Sequence, residues 1–165
     1  MRGARQERRP AAANTFGWFA PLLDMRTPAS ELSARLSRAP VLLVATPSGA
    51  VLEVVVAATP GLRLVGLAGL PVAPPVGLLI PRCRSVHTWG MRFALDVVFL
   101  AWPPGPDAAA RVAAVSSEIR PWRLVATRAA GRLAALELGA PRAEALGLAH
   151  AGAAVTVFQW PSTCG

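Results

Sequence analysis

The residues with the greatest capacity for chemistry lie in one run near the middle of the chain. Cys83, Ser85 and His87 alternate along it, and the β-branched residues Val86 and Thr88 favour an extended backbone. In a strand, alternate side chains share one face, so the thiol, hydroxyl and imidazole are predicted to lie together. A thiol or hydroxyl beside an imidazole is the pairing that nucleophilic enzymes use.

The spacing argues against the simplest catalytic pair. In a straight strand the Cα atoms of Cys83 and His87 would be about 13 Å apart, at roughly 3.3 Å per residue, so their side chains could meet only across a bend or bulge. The Cα atoms of Ser85 and His87 would be about 6.6 Å apart, which allows contact. Cys83 and His87 are therefore catalytic candidates only. A hydrolase or thiol-dependent enzyme centred on these three residues is an alternative function, not the leading one.

A metal centre is a second use of the same run. Cys83, His87 and Asp96 are ligand types that zinc accepts. The other histidine, His150, is distant in sequence, and no paired spacing such as His-x-x-x-His occurs. We therefore predict no metal site and no cofactor.

A polar binding pocket without catalysis is the interpretation that we favour. His87 and Thr88 would bond backbone groups at a strand end, and Asp96 would pin the turn around Gly90. If buried, the carboxylate needs a partner, which Arg92 or backbone amides could supply. The predicted pocket residues are Ser85, His87, Thr88, Met91, Arg92 and Asp96. His87→Ala and Asp96→Asn should then disturb the same pocket or the same partner.

The elements that must position this run are predicted to be β-strands. Residues 41–46 and 51–58 are rich in β-branched residues and flank a Pro-Ser-Gly turn, which predicts a hairpin. Further strands are predicted at 77–80, 96–102, 111–116, 122–127, 132–138 and 153–160. Short strands with frequent turn signals are typical of an all-β fold, here a small β-sandwich or a barrel-like domain with one or two short helices.

Short helical segments and three core residues are also predicted. A short helix or turn is expected after residue 59 and one or two helical turns at 141–146, where Pro141 suits the start. Trp89, Met91 and Phe93 alternate with the polar set and are expected in the core.

A family resemblance rests on the run from Cys83 to Leu100, CRSVHTWGMRFALDVVFL. It resembles the central signature of the domain of unknown function 192 family, with weaker similarity at 77–80, 137–138 and 147–148 and a total extent of about 55–160. The resemblance implies a small, sandwich-like all-β fold and no particular reaction. Members commonly carry an acid after the glycine that matches Gly152, where this chain has Ala153, so a role for that acid does not carry over.

Length and composition predict one domain and a tail. The 165 residues are 53% hydrophobic and 16% charged, which excludes wholesale disorder. We place a tail with a short helix at 1–40 and a β domain at 41–165. In the tail, Phe16, Trp18 and Phe19 form an aromatic cluster. It is expected to fold back on the domain, and docking of a protein partner is the alternative.

Charge and targeting signals add little about partners. The net charge of +8 comes from scattered arginines without interleaved aromatics, so a nucleic-acid partner is not expected. No apolar run is long enough to span a membrane and no clear signal peptide is present, which favours the cytoplasm. Cys83 and Cys164 are expected as free thiols, although one bridge between them would be compatible with the sequence. A third function class, a scaffold in a membrane-associated apparatus, would engage through the basic tail.

Overall fold

A computed structural model describes residues 39–102 and 109–159. The strands are β1 (Val41–Ala45), β2 (Val51–Val56), β3 (Gly77–Ile80), β4 (Ser85–His87), β5 (Leu95–Trp102), β6 (Ala110–Ile119), β7 (Leu124–Ala126), β8 (Arg132–Gly139) and β9 (Ala154–Gln159). The helix α1 spans Pro60–Val65. The aromatic cluster of Phe16, Trp18 and Phe19, the predicted tail helix and Cys164 lie outside the described residues.

Seven strands close into a barrel in the order β1-β2-β3-β8-β5-β6-β9. Neighbouring strands pair antiparallel except β2 and β3, which run parallel. A parallel pair needs a crossover connection, and α1 with the loop that follows it supplies one. The prediction of an all-β domain with a short helix is confirmed, and of the two predicted architectures, a sandwich and a barrel-like domain, the structure has the barrel.

Each face of the barrel wall is buried by its own apolar cluster. One apolar cluster draws on all seven barrel strands and fills the interior, with Val98 and Leu100 of β5 and Leu136 of β8 among its members. A second cluster covers the outer face of β2, β3, β5 and β8, where Leu78 and Phe99 are buried. Because β3, β5 and β8 are buried on both faces, their sequences are almost continuously apolar.

The layer over the outer face is made by α1, the segments 66–76 and 81–93 on either side of β3, and the short ribbon that β4 forms with β7. Val86 and Met91 pack into the outer cluster, as expected for Met91. Trp89 is 52% exposed, so its prediction as a core residue is wrong. The strand alternation ends at His87 because the chain turns at Gly90, whose φ of 74° is left-handed.

At 141–146, where one or two helical turns are predicted, the structure has a single turn. Leu146 N–H donates to Arg142 O at 3.1 Å, and the chain then turns at Gly147. Ala143, Leu146 and Leu148 pack into the interior cluster. This turn therefore closes one end of the barrel.

Within 39–102 and 109–159, no helix is long and apolar enough to cross a bilayer, and α1 has six residues.

Candidate functional site

A cavity of about 320 Å³ lies over the outer face of β8. Its walls come from α1, from the turn after β3, and from β4. The polar lining residues are Arg63, Cys83, Ser85, His87 and Glu137. The apolar lining residues are Pro60, Leu64, Ile80 and Val86. A pocket with apolar walls and a few converging polar groups is the usual form of a small-molecule site.

Glu137 forms the buried part of this cavity. It lies in β8 between Leu78 of β3 and Val97 of β5, and 2% of it is exposed. Its Oε2 has no hydrogen-bond partner. Burial raises the pKa of Glu137 from 4.5 to about 8, because the charged form loses its hydration. At neutral pH the group is therefore mainly a carboxylic acid, which can donate as well as accept a hydrogen bond.

His87 reaches the cavity from the end of β4. Its ring stacks on Trp89, with the ring centroids 4.8 Å apart and the planes inclined by 18°. Its Nδ1 is buried and has no partner. In the described part of the chain, His87 Nδ1 and Glu137 Oε2 are the two buried side-chain nitrogen or oxygen atoms that have no hydrogen-bond partner. Both residues line the same cavity. Buried polar atoms are nearly always paired, so two at one place need an explanation.

Cys83 lines the cavity from a turn and not from a strand. Arg82, with a φ of 50°, redirects the chain after β3, and Cys83 N–H then donates to Leu133 O at 3.0 Å. The buried thiol donates to Ser85 O at 3.0 Å. The predicted shared face of one straight strand is therefore wrong for Cys83, since β4 begins at Ser85. Cys83, Ser85 and His87 nevertheless line the same cavity.

Arg63 belongs to the last turn of α1, a helix that Thr59 caps by accepting the Leu62 N–H at 3.3 Å. The Arg63 Nη2 donates to Arg82 O at 3.2 Å, which ties the helix to the turn before Cys83. A guanidinium carries its charge at every physiological pH. The cavity therefore has a permanent positive charge in its lining.

Asp96 lies on the other side of the barrel wall. Strand alternation puts it with Val98 on the interior face, opposite Leu138 in β8. Its carboxylate accepts the Glu118 N–H at 2.8 Å. It also accepts the N–H groups of Arg142 at 2.7 Å and Ala143 at 2.8 Å. Asp96 thus holds the irregular end of β6 and the barrel-closing turn, rather than the turn around Gly90, and its partners are the backbone amides.

The remaining predicted pocket residues are divided among three environments. Thr88 is fully buried, and its hydroxyl donates to Arg120 O and accepts the Arg123 N–H, both at 2.9 Å. Met91 is in the outer core, and Arg92 is exposed. The structure therefore brings Ser85 and His87 together with Cys83 at the cavity. It places Thr88, Met91, Arg92 and Asp96 elsewhere.

The metal alternative depended on Cys83, His87 and Asp96 meeting. Asp96 faces the barrel interior, while Cys83 and His87 line the outer cavity. Within 39–102 and 109–159, no three His, Cys, Asp or Glu side chains are grouped as metal ligands would be.

Sequence reasoning missed Glu137 as a site residue. Its signal was a single acid inside the otherwise apolar strand Leu133–Leu138, where burying a charge is costly. Asp96, an acid among apolar residues in β5, carries the same signal but is fully partnered. An acid within an apolar strand therefore predicts a buried carboxyl group. Only the tertiary structure shows whether that group has hydrogen-bond partners, as in Asp96, or lacks one, as in Glu137.

Two solved structures share this fold. One is a protein of unknown function from Novosphingobium aromaticivorans DSM 12444, 20% identical with a TM-score of 0.57, covering 70% of this chain and 83% of that chain. The other is a candidate transcription regulator from Sinorhizobium meliloti 1021, 23% identical with a TM-score of 0.55, covering 72% of this chain and 92% of that chain. At these identities the likeness shows the fold alone.

No protein of curated function matches this chain in sequence. The sequence profile of the family DUF192, described as "Uncharacterized ACR", matches residues 43–157. That range runs from β1 into β9 and contains the signature run, the cavity residues and Glu137. The chain belongs to the DUF192 family.

Proposed function

We propose that this chain is a non-catalytic binding domain and that its ligand site is the cavity around His87 and Glu137. The observation that carries the proposal is that two residues lining one cavity, His87 and Glu137, each have a buried side-chain atom without a hydrogen-bond partner, Nδ1 and Oε2. Leaving a buried polar group without a partner costs about 1–3 kcal/mol. A bound polar molecule would supply the missing partners and recover that cost.

The surroundings of the two atoms support binding rather than an accident of packing. Trp89 holds the His87 ring by stacking, and Glu137 lies in the middle of a strand paired on both sides. A site whose polar groups are fixed before binding loses little conformational entropy when the ligand arrives.

Chemical-shift mapping of backbone amides with small polar probes tests this proposal. Acetate, acetamide and imidazole are titrated separately into the full-length protein. We expect at least one probe to shift the amides of His87 and Glu137 in a saturable way. Glu137→Met, which keeps the volume but removes both oxygens, should abolish these shifts. Glu144→Gln, a change at an exposed acid outside the cavity lining, should keep them.

His87→Ala is the second variant for the case in which Glu137→Met does not fold. It removes the other unpartnered atom from a half-buried position. The proposal is overturned if no probe shifts the two amides, or if the shifts persist unchanged in the cavity variants.

The thiol-dependent alternative has less support. The Cys83 thiol donates to a backbone carbonyl, which accepts from an S–H and offers no stabilisation to a thiolate. We expect iodoacetamide to alkylate Cys83 at least tenfold more slowly than free cysteine at neutral pH, measured in a Cys164→Ser variant. Alkylation faster than that of free cysteine would favour the enzyme.

A further inference from the structure

Three exposed apolar side chains, Leu64, Trp89 and Leu124, lie in the cavity lining or next to His87, which lines it, and we call them the apolar rim. Leu64 lines the cavity and is 66% exposed. Trp89 stacks on His87, and Leu124 lies directly opposite His87 in the β4–β7 pair, on the same face of that ribbon. Exposed apolar residues grouped at a cavity mark a binding surface more often than scattered ones do.

The charges of the residues that line the cavity favour an anionic ligand over a cationic one. Arg63 is always cationic, while burial keeps Glu137 mainly uncharged at neutral pH. The remaining polar groups of the lining are the Cys83 thiol, the Ser85 hydroxyl and the His87 imidazole. A cationic ligand would meet the positive charge of Arg63 without an ionised acid to offset it. An anion would instead be attracted by Arg63.

The unpartnered polar atoms fit one kind of anion. A carboxylic acid donates its O–H to a carboxylate in a short, charge-assisted hydrogen bond, which is stronger than a bond between neutral groups. Protonated Glu137 can be this donor, and His87 Nδ1 can be a second in the imidazole tautomer whose N–H lies on that atom. The cavity volume of about 320 Å³ falls within the range of small-molecule sites.

We propose that this cavity binds a small molecule that carries a carboxylate on a planar apolar group. This inference rests on the proposed function and adds the ligand class. The carboxylate lies at Glu137 and His87, with Arg63 supplying the positive charge. The apolar group lies against the apolar rim.

The test uses three probes of the same shape and different charge: benzoate, benzamide and benzamidinium. Each is titrated into the full-length protein at pH 7, with heat measured by calorimetry and the site followed by the amide shifts of His87 and Glu137. We expect benzoate to bind at least tenfold more tightly than benzamide and benzamidinium not to bind measurably. The ring should also shift the indole signal of Trp89.

Variants at Glu137 separate the modes of recognition. Glu137→Gln keeps an N–H donor for a carboxylate, so benzoate binding should stay within about threefold of the wild type. Glu137→Met has no donor and should lose at least tenfold. If the ligand class were cationic, Glu137→Gln would lose binding as severely as Glu137→Met.

Arg63→Met tests the charge without altering the buried acid, and it should weaken benzoate at least tenfold. Arg111→Met is the matched control, because Arg111 is an exposed arginine that also donates to a backbone carbonyl, that of Gly152, and does not line the cavity. It should leave benzoate binding unchanged.

Different results would overturn the ligand class proposed here and the binding function on which it rests. Tighter binding of benzamide or benzamidinium at the His87 and Glu137 amides would overturn the ligand class and leave the binding site standing. Absence of shifts at these amides with all three probes would overturn the carboxylate proposal. The same absence with acetate, acetamide and imidazole as well would overturn the proposed function.

Discussion

Two buried acidic side chains lie on opposite faces of the same pair of strands, β5 and β8, and differ in their hydrogen bonding. Asp96, on the interior face, accepts three backbone N–H groups within 2.7–2.8 Å. Glu137, on the outer face, has an Oε2 without a partner, and its burial raises the pKa to about 8. Their exposures are 1% and 2%. Burial therefore does not separate the two acids, whereas their hydrogen bonds do.

The difference separates a structural acid from a candidate functional one. Every partner of Asp96 is an amide at a place where regular pairing fails, at the register shift of β5 and β6 and at the barrel-closing turn. Such an acid completes the fold. Glu137 lies where both neighbouring strands pair regularly, so the fold needs no carboxylate there. The binding role proposed for Glu137 is therefore not one that the strand pairing itself requires.

The largest effect is expected from Asp96→Asn. The new side chain keeps one oxygen but sets an NH2 group against backbone N–H groups that the carboxylate now accepts. The loss of charged hydrogen bonds should lower the free energy of unfolding by about 4 kcal/mol. Urea denaturation measures this. Glu144→Gln, at an exposed acid, should change it by less than about 0.5 kcal/mol. A loss below about 1 kcal/mol for Asp96→Asn would remove the structural assignment.

The second effect concerns pH and Glu137. Below pH 4.5 the group is protonated in both states. Between 4.5 and about 8 the folded state keeps the proton that the unfolded state has released, so stability falls as pH rises. The fall is about 1.4 kcal/mol per pH unit, or about 3 kcal/mol between about pH 5.5 and 7.5, and it is complete above pH 8.

Glu137→Gln should remove this part of the pH dependence, because an amide does not titrate in the range. Urea denaturation of the wild type and of Glu137→Gln across the same pH values makes the comparison, with Glu144→Gln as the control. Equal slopes in the wild type and in Glu137→Gln would mean that the carboxyl is not protonated in the folded state, and the contrast with Asp96 would lose its basis.

A smaller loss is expected from Thr88→Val, which keeps the shape and removes the hydroxyl. Thr88 Oγ1 bonds Arg120 O and Arg123 N–H, and the change leaves both without that partner. We expect a loss of about 1–3 kcal/mol in urea denaturation. A neutral result would show that the segment before β7 finds other partners.

The smallest effect on stability is expected from His87→Ala. The ring is half-buried and its Nδ1 bonds nothing, so we expect a loss of less than about 1 kcal/mol. This outcome would contrast with Thr88→Val one residue later. A loss as large as that of Thr88→Val would make His87 a structural residue.

Much of the strand pattern could be predicted from the sequence. Residues 77–80 were predicted and found as a strand, and 132–138 was found as Arg132–Gly139. These segments are short, apolar and bounded by turn residues, so local composition is informative. The failures came where one residue ended a pattern. Gly90 turned Trp89 outward, and the turn at Arg82 keeps Cys83 out of the strand that begins at Ser85. The helical turn predicted at 141–146 is present, and its apolar residues close the barrel.

The candidate site was only half predictable. Ser85, His87 and Cys83 were found from their types and alternation in one run. Glu137 lies some fifty residues later, and no local pattern connects it with His87. Only the β3–β8 and β5–β8 pairings, with α1 and β4 packed above them, bring it to the cavity.

The sequence by itself determined an all-β domain, its strand segments and its family, because alternation, turn residues and a specific motif are local properties. The tertiary structure alone decided which acid has partners. Adjacent residues of one strand point to opposite faces, so the pairing that sets Asp96 beside Leu138 and Val97 beside Glu137 puts the two carboxylates on opposite sides of the wall. One side offers backbone amides and the other a cavity, and that distinction exists only once the barrel has closed.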